Sequence, residues 1–512
     1  MVDIHTLPRL RAVLTIFILI ATAPLSLALI FGAIITDSIK ELAENLKKEK
    51  LKSYLGMSVA SKFLFFAGVN SCIKFAFGYG LWLNAVFSAL TIIAFHFADN
   101  KYPTTQNSKV SVLITGGKMT KSLLFARWFW KCGYRVVLVE TPRYWICGTR
   151  FSRAVSCFYT VTPPKIDQEA YIKELERIVE KECINYFVPI SAAADAVYDS
   201  IAKKKLEKLG CAVLHFDTEI TEILDDKQKF FEYAGKMLSL NIPKSIKVES
   251  STEVHKANES LKNESKVYVL KSLTYDPIHR LDLFKLPCSS ESLQNYLATL
   301  ENPISKERPW QVQQFVKGVE YAVFAVLRKG KIRALTISES SSSQLNYKHE
   351  NIPQIEEWLD NFAKRTKLTG QISFDFIVDD LGVAYCIECN PRVHSQCSVF
   401  LKKDELGKAV LDENWEEVLK PEDSNEQIYW FYNEFFKLLP NSIFNYGNIS
   451  FYNALATEIS GKDAILDSSD PLPFLVTNHL QMPLLLITTA IKGRPWKKLD
   501  FCIGKVVEID GD

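Results

Sequence analysis

Two strand-like segments joined by a short polar turn constrain the fold of this 512-residue chain more than any other feature. They read GQISFDFI at 370–377 and AYCIECNPR at 384–392, with a turn at Asp379–Gly382 between them. Adjacent segments of this kind predict an antiparallel hairpin. Because side chains alternate along a strand, we expect Ile387 and Cys389 to point into a packed layer and their neighbours to face the other way.

The other face of the hairpin carries the side chains that suggest chemistry. Glu388 and Asn390 share this face, and Asp375 lies on the partner strand. Carboxylate and amide oxygens are hard ligands that suit Mg²⁺ bridging phosphate groups. Arg392 follows closely and adds a planar, permanently charged fork. A lone acidic residue near a turn is usually just solvated, so the predicted metal site depends on Asp375, Glu388 and Asn390 acting as a set.

Three weaker features, each with a lysine or a carboxylate, precede the hairpin in an order that suits a single active site. Asp225-Asp226-Lys227 opens a helix, where acidic residues suit the positive end of the helix dipole. An apolar strand at 267–272 ends in Lys271, and a strand at 311–318 runs into a turn just before Glu320. Together with the hairpin, these features predict lysines and carboxylates around a single site.

An α/β body begins at Lys109. Val110–Thr115 is predicted to be a buried strand, Thr120–Cys132 an amphipathic helix and Arg135–Glu140 the next strand. This order is typical of a Rossmann-like start. Further strands of a small parallel sheet are expected at Tyr186–Pro189 and Ala212–Phe216.

The turn at Gly116-Gly117-Lys118 leaves two interpretations open. It has too few glycines for a dinucleotide fingerprint, and it lacks the upstream glycine and the following Ser or Thr of a P-loop. Such a turn either binds a ligand at the helix N-terminus or only connects two elements. We retain its three residues as candidate substrate contacts.

The first hundred residues differ from the rest of the chain. Ala12–Thr36 and Phe75–Phe95 carry no charge, and each is long enough to cross a bilayer. Lysines are concentrated between them, and positive residues prefer the cytoplasmic side, so a single span or a hairpin in one leaflet fits better than two spans. The alternative is a pair of apolar helices packed on the body. Asp99–Lys109 then reads as a linker.

Composition excludes some partners. A net charge of +2 with 23% charged residues gives no bulk attraction to nucleic acid. The 11 cysteines are scattered and odd in number, which is typical of reduced thiols in a cytoplasmic body. Cys386 and Cys389 form a single C-x-x-C pair, a weak zinc signal without a second pair.

These motifs resemble the ATP-grasp superfamily, whose Glu-x-Asn-Pro-Arg signature matches 388–392. The resemblance covers roughly 109–400 and implies an α/β ATP-grasp fold, in which a Rossmann-like pre-ATP-grasp domain precedes two α+β subdomains. A hydrophobic N-terminal helical region would be added to this fold. The implied reaction uses ATP with Mg²⁺, or Mn²⁺ as an alternative.

The resemblance also assigns roles to particular residues. Asp375, Glu388 and Asn390 would hold magnesium, and Arg392 and Lys271 would be catalytic. The implied nucleotide contacts are Lys227 and Lys271 at the phosphates, Gln313, Gln314 and Val316 at the adenine hinge, and Glu320 at the ribose. Gln313 stands where many members of the superfamily carry Glu, and the loop after Lys271 lacks the usual glycines.

Other motifs are similar to a narrower group, the mycosporine-glycine synthases of cyanobacteria. They include GGKMTK at 116–121, HFD at 215–217, LDDK at 224–227 and the ending IGKVVEIDGD at 503–512. The resemblance implies that glycine, or another amino acid, is ligated to 4-deoxygadusol through a phosphorylated enol, with release of ADP and phosphate. Arg280 or Arg333 would bind the amino-acid carboxylate, and His394 has either a substrate role or a structural one.

The predicted organisation has four parts: a membrane-associated region and linker at 1–108, the Rossmann-like domain at 109–220, the ATP-grasp domain at 221–400 and a C-terminal extension at 401–512. Two rival functions remain. One is an ATP-grasp ligase for another carboxylate and amine, and the other is a membrane-attached nucleotide-binding protein without catalysis. The complete set of metal ligands and arginine argues against the second rival.

Because every predicted catalytic motif follows the linker, a chain that starts at Tyr102 should be soluble and should retain ATP-dependent activity. The measurement compares ADP release by this truncated chain with that of the full chain in detergent. A folded but inactive truncated chain would show that the apolar stretches contribute to the site.

Overall fold

The structure, a computed structural model, describes residues 110–190, 192, 195–273, 282–340, 346–422, 427–433, 461–467, 469–492 and 496–508. The predicted apolar stretches Ala12–Thr36 and Phe75–Phe95, the linker Asp99–Lys109 and Arg280 lie outside these residues. Among the residues that are described, no helix is both long and apolar enough to cross a bilayer.

The described residues form helices and strands in an α/β arrangement, as predicted. The strands are β1 (Ser111–Ile114), β2 (Arg135–Glu140), β3 (Val155–Thr160), β4 (Tyr186–Val188), β5 (Ala212–Val213), β6 (Ser245–Val248), β7 (Tyr268–Ser272), β8 (Phe284–Leu286), β9 (Trp310–Gln314), β10 (Gly318–Arg328), β11 (Lys331–Glu339), β12 (Asn346–Tyr347), β13 (Gly370–Asp379), β14 (Ala384–Asn390), β15 (Ile428–Tyr429), β16 (Lys462–Asp463), β17 (Trp496–Asp500) and β18 (Lys505–Glu508).

The α-helices are α1 (Thr120–Lys131), α2 (Gln168–Glu182), α3 (Ala196–Lys208), α4 (Thr218–Asp225), α5 (Lys227–Phe231), α6 (Ser251–Leu261), α7 (Ser290–Thr299), α8 (Pro353–Thr366), α9 (Leu406–Leu411), α10 (Leu472–Val476) and α11 (Met482–Ile491). Short 3₁₀ helices lie at Pro142–Tyr144, Gly148–Phe151 and Ser395–Phe400. Segments of π-helix lie at Glu232–Met237 and Thr477–Gln481.

The chain divides into two compact units. The first contains residues up to Thr162 together with Tyr429–Ile459 and Asp463–Asp512. The second runs from Pro163 to Ile428 and includes Ser460–Lys462. The first part of the α/β body and the C-terminal part of the chain therefore belong to the same unit.

In the first unit, three parallel strands lie in the order β3-β2-β1. The helix α1 connects β1 to β2, and nearly all of its residues are buried. The helix was predicted to be amphipathic, but it is enclosed on nearly all sides: apolar residues cover most of its surface, and its buried Arg127 is paired with Asp470. The predicted order of strand, turn, helix and strand is confirmed, with boundaries that agree to within one residue.

The C-terminal part of the chain completes the core of this unit. The carbonyl of Cys502 accepts a hydrogen bond from the backbone N–H of Thr120, which begins α1. The indole of Trp430 donates to the hydroxyl of the same threonine at 3.0 Å. Asp470 accepts from Arg127 Nε at 3.0 Å and from Ser152, and both charged side chains of this pair are only 5% exposed. The end of the chain is thus an integral part of the unit.

In the second unit, two antiparallel sheets carry the predicted chemistry. One has the strand order β11-β10-β13-β14, and the other has the order β6-β9-β7-β8. The predicted hairpin at 370–392 is the β13–β14 pair of the first sheet. Its turn is closed by Asp379, whose Oδ1 accepts from the N–H groups of Leu381 and Val383.

One face of the β11-β10-β13-β14 sheet is packed against α8. Phe374 and Phe376 of β13 lie edge-on to Trp358 of α8, with ring centroids 5.4 and 5.1 Å apart. Phe362 of α8 and Val323 of β10 belong to the same buried core. Because one face is buried in this way, the opposite face is left for polar side chains.

A β-bulge interrupts the predicted alternation of side chains on β14. Asp375 lies opposite Glu388, but its neighbour Phe376 lies opposite Cys386, so Ile387 is the extra residue. Cys386 and Cys389 both enter the core, and Ile387 does not join them. The expectation for Cys389 is confirmed, whereas that for Ile387 is wrong because the bulge interrupts the two-residue period.

Asp470→Ala should lower the free energy of unfolding by about 3–5 kcal/mol, since Arg127 would be left as a buried, unpaired charge. Glu169→Ala is the control, because its pair with Lys173 is more than 70% exposed on both sides and is worth about 0.5 kcal/mol or less. Both values follow from urea unfolding of the full chain. Equal effects of the two substitutions would contradict the integral role of the C-terminal part.

Candidate active site

The β13–β14 pair brings the three predicted metal ligands together. Asp375 lies directly opposite Glu388, and Ser373 lies opposite Asn390. Residues directly opposite one another on antiparallel strands share a face, with Cβ atoms about 4.5–5.5 Å apart. Asp375 and Glu388 are therefore neighbours on the face away from the core, and Asn390 lies beyond them at the end of β14.

Lys227 reaches this pair of carboxylates from the start of α5. Its Nζ lies 3.5 Å from Glu388 Oε2, and each side chain is about one-third exposed. Asp226 caps the helix, because its Oδ1 accepts from the N–H groups of Gln228 and Lys229 at 2.9 Å. The cap fixes the direction in which the helix, and hence Lys227, begins.

Arg392 lies at the same end of β14 and is held by two acceptors. Its Nη1 donates to Asp225 Oδ1 at 2.9 Å, and its Nη2 donates to Asn390 Oδ1. The guanidinium is planar, so two acceptors fix its orientation as well as its position. A directed cation thus lies beside the carboxylates.

The charges at this site influence one another. Burial raises the pKa of Asp375 to about 7, and the negative charges of Glu388 and Glu320 add to this effect. Lys227 and Arg392 act in the opposite direction. Carboxylates that disfavour one another's ionisation in this way gain from a cation placed between them. The arrangement therefore favours binding of a positively charged ion.

Lys271 belongs to the same electrostatic group. Burial lowers its pKa, the charge of Lys227 lowers it further, and Glu388 and Glu320 oppose the shift. Two lysines that repel each other at one site are stabilised by a polyanion such as a chain of phosphates. The structure therefore brings together the two lysines that sequence motifs had linked.

The donor set fits magnesium better than zinc. Within the described residues, no three His, Cys, Asp or Glu side chains come together as a metal site. Zinc prefers nitrogen and sulfur donors, and both nearby thiols are buried in the core with their pKa raised by burial. Magnesium is usually held by one or two carboxylates, and waters and substrate phosphates complete its shell. Asp375, Glu388 and the amide of Asn390 suit that arrangement.

The sheet β6-β9-β7-β8 contributes a row of polar side chains. Lys271 of β7 lies opposite Gln311 of β9, and Gln313 lies opposite Val269 and Ser245. Gln311 and Gln313 are buried, and the amide of Gln311 donates to Gln313 Oε1 at 3.4 Å. Gln311 was not among the predicted site residues, although its position two residues before Gln313 on a strand places both on the face of Lys271.

The other predicted hinge residues have diverse environments. Gln314 Oε1 accepts from the N–H of Lys244 at 3.4 Å. Val316 is buried just after β9, and Glu320 is exposed near the start of β10. Glu320 lies opposite Ile377, two residues from Asp375 along β13. Its charge therefore reaches both Asp375 and Lys271.

The predicted substrate contacts are not all brought to this site. Arg333 is buried on β11, where its Nη2 donates to the Glu413 carbonyl at 3.1 Å. Ser338 of the same strand is in line with Asp375 across the sheet. Arg333 is five residues from Ser338, so the two are about 16 Å apart along β11. His394 is nearer: its Nδ1 accepts from the N–H of Gln396 at 3.4 Å and so caps the 3₁₀ helix that follows.

The turn Gly116-Gly117-Lys118 belongs to the first unit, and its amides are used within that unit. The N–H of Gly117 donates to Val139, and that of Lys118 donates to Glu140 Oε2 at 2.8 Å. The N–H of Thr120 donates to Cys502. The donors that usually bind an anion at a helix N-terminus thus have partners in the chain itself.

No family model matches the chain, and no curated protein matches it. Among solved structures, N5-carboxyaminoimidazole synthetase from Staphylococcus aureus, complexed with ADP, has 15% identity and a TM-score of 0.48, over 66% of this chain and 87% of that one. The L-amino acid ligase from Bacillus licheniformis has 12% identity and a TM-score of 0.40, over 60% and 70% of the two chains.

A third similar structure is phosphoribosylglycinamide synthetase from Anaerococcus prevotii, with 16% identity and a TM-score of 0.44 over 60% of this chain and 76% of that one. Likeness at this level carries no argument about activity. The function is therefore inferred from the residues of the site.

Glu388→Gln keeps the shape of this side chain but removes its charge, so ATP consumption should fall at least about 100-fold while the fold is retained. Asp380→Asn is the control, because Asp380 lies in the turn of the same hairpin, 76% exposed beside Lys317. ADP release and circular dichroism measure the two effects. Wild-type ATP consumption by Glu388→Gln would contradict the metal assignment.

Proposed function

We propose that this chain is an ATP-dependent ligase of the ATP-grasp type, which joins an amine to an acceptor after phosphorylating an oxygen of that acceptor. The observation that carries the proposal is the convergence, within the second unit, of Lys227, Lys271, Asp375, Glu388 and Arg392. Phosphoryl transfer needs mainly positioning and charge neutralisation from a protein, and this set supplies both.

The proposed roles follow from the position of each residue. Asp375, Glu388 and Asn390 would hold Mg²⁺, or Mn²⁺ in its place, and the ion would neutralise charge on the phosphates when bound. Lys227 and Lys271 would contact the phosphates. The adenine would lie near Gln313, Gln314 and the backbone of Val316, and Glu320 would bind the ribose.

Arg392 has the most directed role in this proposal. Its guanidinium is held by Asp225 and by Asn390 Oδ1, an amide oxygen whose second lone pair remains for the metal, so its remaining N–H groups have a fixed direction. A fixed cation stabilises charge that develops on a transferring phosphoryl group without reorganising during the reaction. Lys227 is paired with Glu388 in this structure and would turn to phosphate once Glu388 serves the metal.

The proposed reaction has two balanced steps. The acceptor oxygen, deprotonated as an enolate or carboxylate, forms a bond to the terminal phosphorus of ATP as the bond from that phosphorus to the ADP oxygen breaks. The amine nitrogen then bonds to the carbon that carries the phosphorylated oxygen. The carbon–oxygen bond breaks, phosphate leaves with that oxygen, and the nitrogen loses a proton. No nucleophilic side chain is required in either step.

For the substrates, we propose 4-deoxygadusol and glycine, or another amino acid in place of glycine. The support is the sequence resemblance to the mycosporine-glycine synthases, together with the chemistry of the acceptor. The enol of a 1,3-diketone is a vinylogous carboxylic acid, so its oxygen can be phosphorylated as a carboxylate is. We place the body of the chain that carries the candidate active site on the cytoplasmic side, with membrane association through residues 12–36 and 75–95.

The alternative is another substrate pair for the same chemistry, such as a true carboxylate with a different amine. Purified protein, ATP and Mg²⁺ would be incubated with 4-deoxygadusol and a panel of amino acids, with products read by mass spectrometry. A glycine adduct supports the proposed pair. ADP release without an adduct of 4-deoxygadusol would favour the alternative, and a protein that binds nucleotide without consuming it would be no ligase.

The identity of the activated atom gives a sharper prediction. Oxygen-18 placed at the enol oxygen of the acceptor should appear in the released phosphate, because that oxygen leaves with phosphorus. ADP should form in a 1:1 ratio to product. Mass spectrometry of phosphate and chromatography of nucleotides check both. AMP as the stoichiometric product, or label recovered in water, would contradict the mechanism.

A further inference from the structure

Asp225 is an acidic residue at the candidate active site to which the proposed reaction gives no role, and it does not open a helix as its sequence motif had predicted. It is the last residue of α4 and comes directly before Asp226, the cap of α5. Its Oδ1 accepts the hydrogen bond from Arg392 Nη1 at 2.9 Å. The two residues are 167 positions apart in the sequence, so only the fold brings them together.

This ion pair is partly exposed to solvent. The side chain of Asp225 is 32% exposed and that of Arg392 is 19% exposed. Burial is moreover the largest influence on the pKa of Asp225 and raises it, although Arg392 acts in the other direction. A charge that the fold does not favour is more often retained at a functional site than at a structural one.

The geometry gives the carboxylate a specific effect on Arg392. Asp225 holds one end nitrogen of the guanidinium, and Asn390 holds the other. With Asn390 alone, the long arginine side chain could rotate about that single contact. With both acceptors, the plane of the guanidinium is fixed.

The same short segment directs two cations. In three consecutive residues, Asp225 binds Arg392, Asp226 caps α5, and Lys227 lies beside Glu388. The junction between α4 and α5 thus sets the positions of an arginine and a lysine against the end of β14. Displacement of one side chain at this junction would move a charge at the candidate active site.

We propose that Asp225 is a positioning residue: it holds the guanidinium of Arg392 in the orientation in which Arg392 meets the transferring phosphoryl group. This inference rests on the proposed ligase function. The effect of Asp225 is exerted through Arg392, so its loss should reduce the rate of the chemical step more than the affinity for ATP.

The test uses the full chain with ATP, Mg²⁺, 4-deoxygadusol and glycine. Asp225→Ala should lower kcat by about 100-fold, since a misplacement on the order of 1 Å has that effect, while the KM for ATP changes less than about threefold. Asp225→Asn keeps an oxygen that accepts from Arg392 and should lose less than about tenfold. If Asp225→Ala does not fold, Asp225→Glu takes its place with the same expected direction.

Asp217→Ala is the matched control. Asp217 lies at the other end of α4 and pairs with Lys203 at 2.8 Å, away from Arg392. Its replacement removes an ion-paired aspartate from the N-cap position of the same helix and should leave kcat within about twofold. Similar losses of kcat for the substitutions at 217 and 225 would overturn the proposal, because they would reveal a general effect on α4.

Coupling to Arg392 separates positioning from a structural role. In an Arg392→Ala background, Asp225→Ala should lower kcat by no more than about twofold, because the group it positions is gone. The same loss in both backgrounds would overturn the proposal. Calorimetry with Mg-ADP should show nearly equal affinity for wild type and Asp225→Ala. A wild-type chain that neither binds Mg-ADP nor consumes ATP would instead overturn the ligase function itself.

Discussion

The pairing of Asp375 with Glu388 across β13 and β14 is the interaction on which the candidate site depends. It places two carboxylates side by side against their mutual repulsion, and the raised pKa of Asp375 reflects that cost together with burial. The lysines and Arg392 offset part of the repulsion, and a bound cation would offset the rest. Lys227 contacts Glu388, and the charges of Lys227 and Arg392 both lower the pKa of Asp375.

The hydrophobic core beneath the sheet holds that pairing in register. Phe374 and Phe376 flank Asp375 in the sequence and pack against Trp358, so a slip of one residue would bury Asp375 and expose both rings. The bulge at Ile387 has the complementary effect on β14, since it lets Cys386 and Cys389 enter the core while Glu388 stays on the site face. Stability of the core and geometry of the site are therefore set by the same residues.

In the first unit, the backbone amides of the glycine turn bond to other parts of the chain. Its parallel strands and its glycine turn resemble a ligand-binding arrangement, yet the amides around the turn bond to Val139, Glu140 and Cys502. Acceptors from β2 and from the C-terminal part of the chain thus take the place that a bound anion has in other proteins. The buried pair of Arg127 and Asp470 anchors that part to α1.

The sequence alone determined the local elements and much of the site. Two-residue periodicity and turn residues located β13 and β14, and the spacing of Glu388 and Asn390 placed both on one face of β14, because these patterns depend only on neighbouring residues. The contact between Asp225 and Arg392, the row formed by Lys271 and Gln311, and the bulge at Ile387 were decided by the tertiary structure. Each of them joins residues from different elements or depends on the register between strands, and long-range packing sets that register.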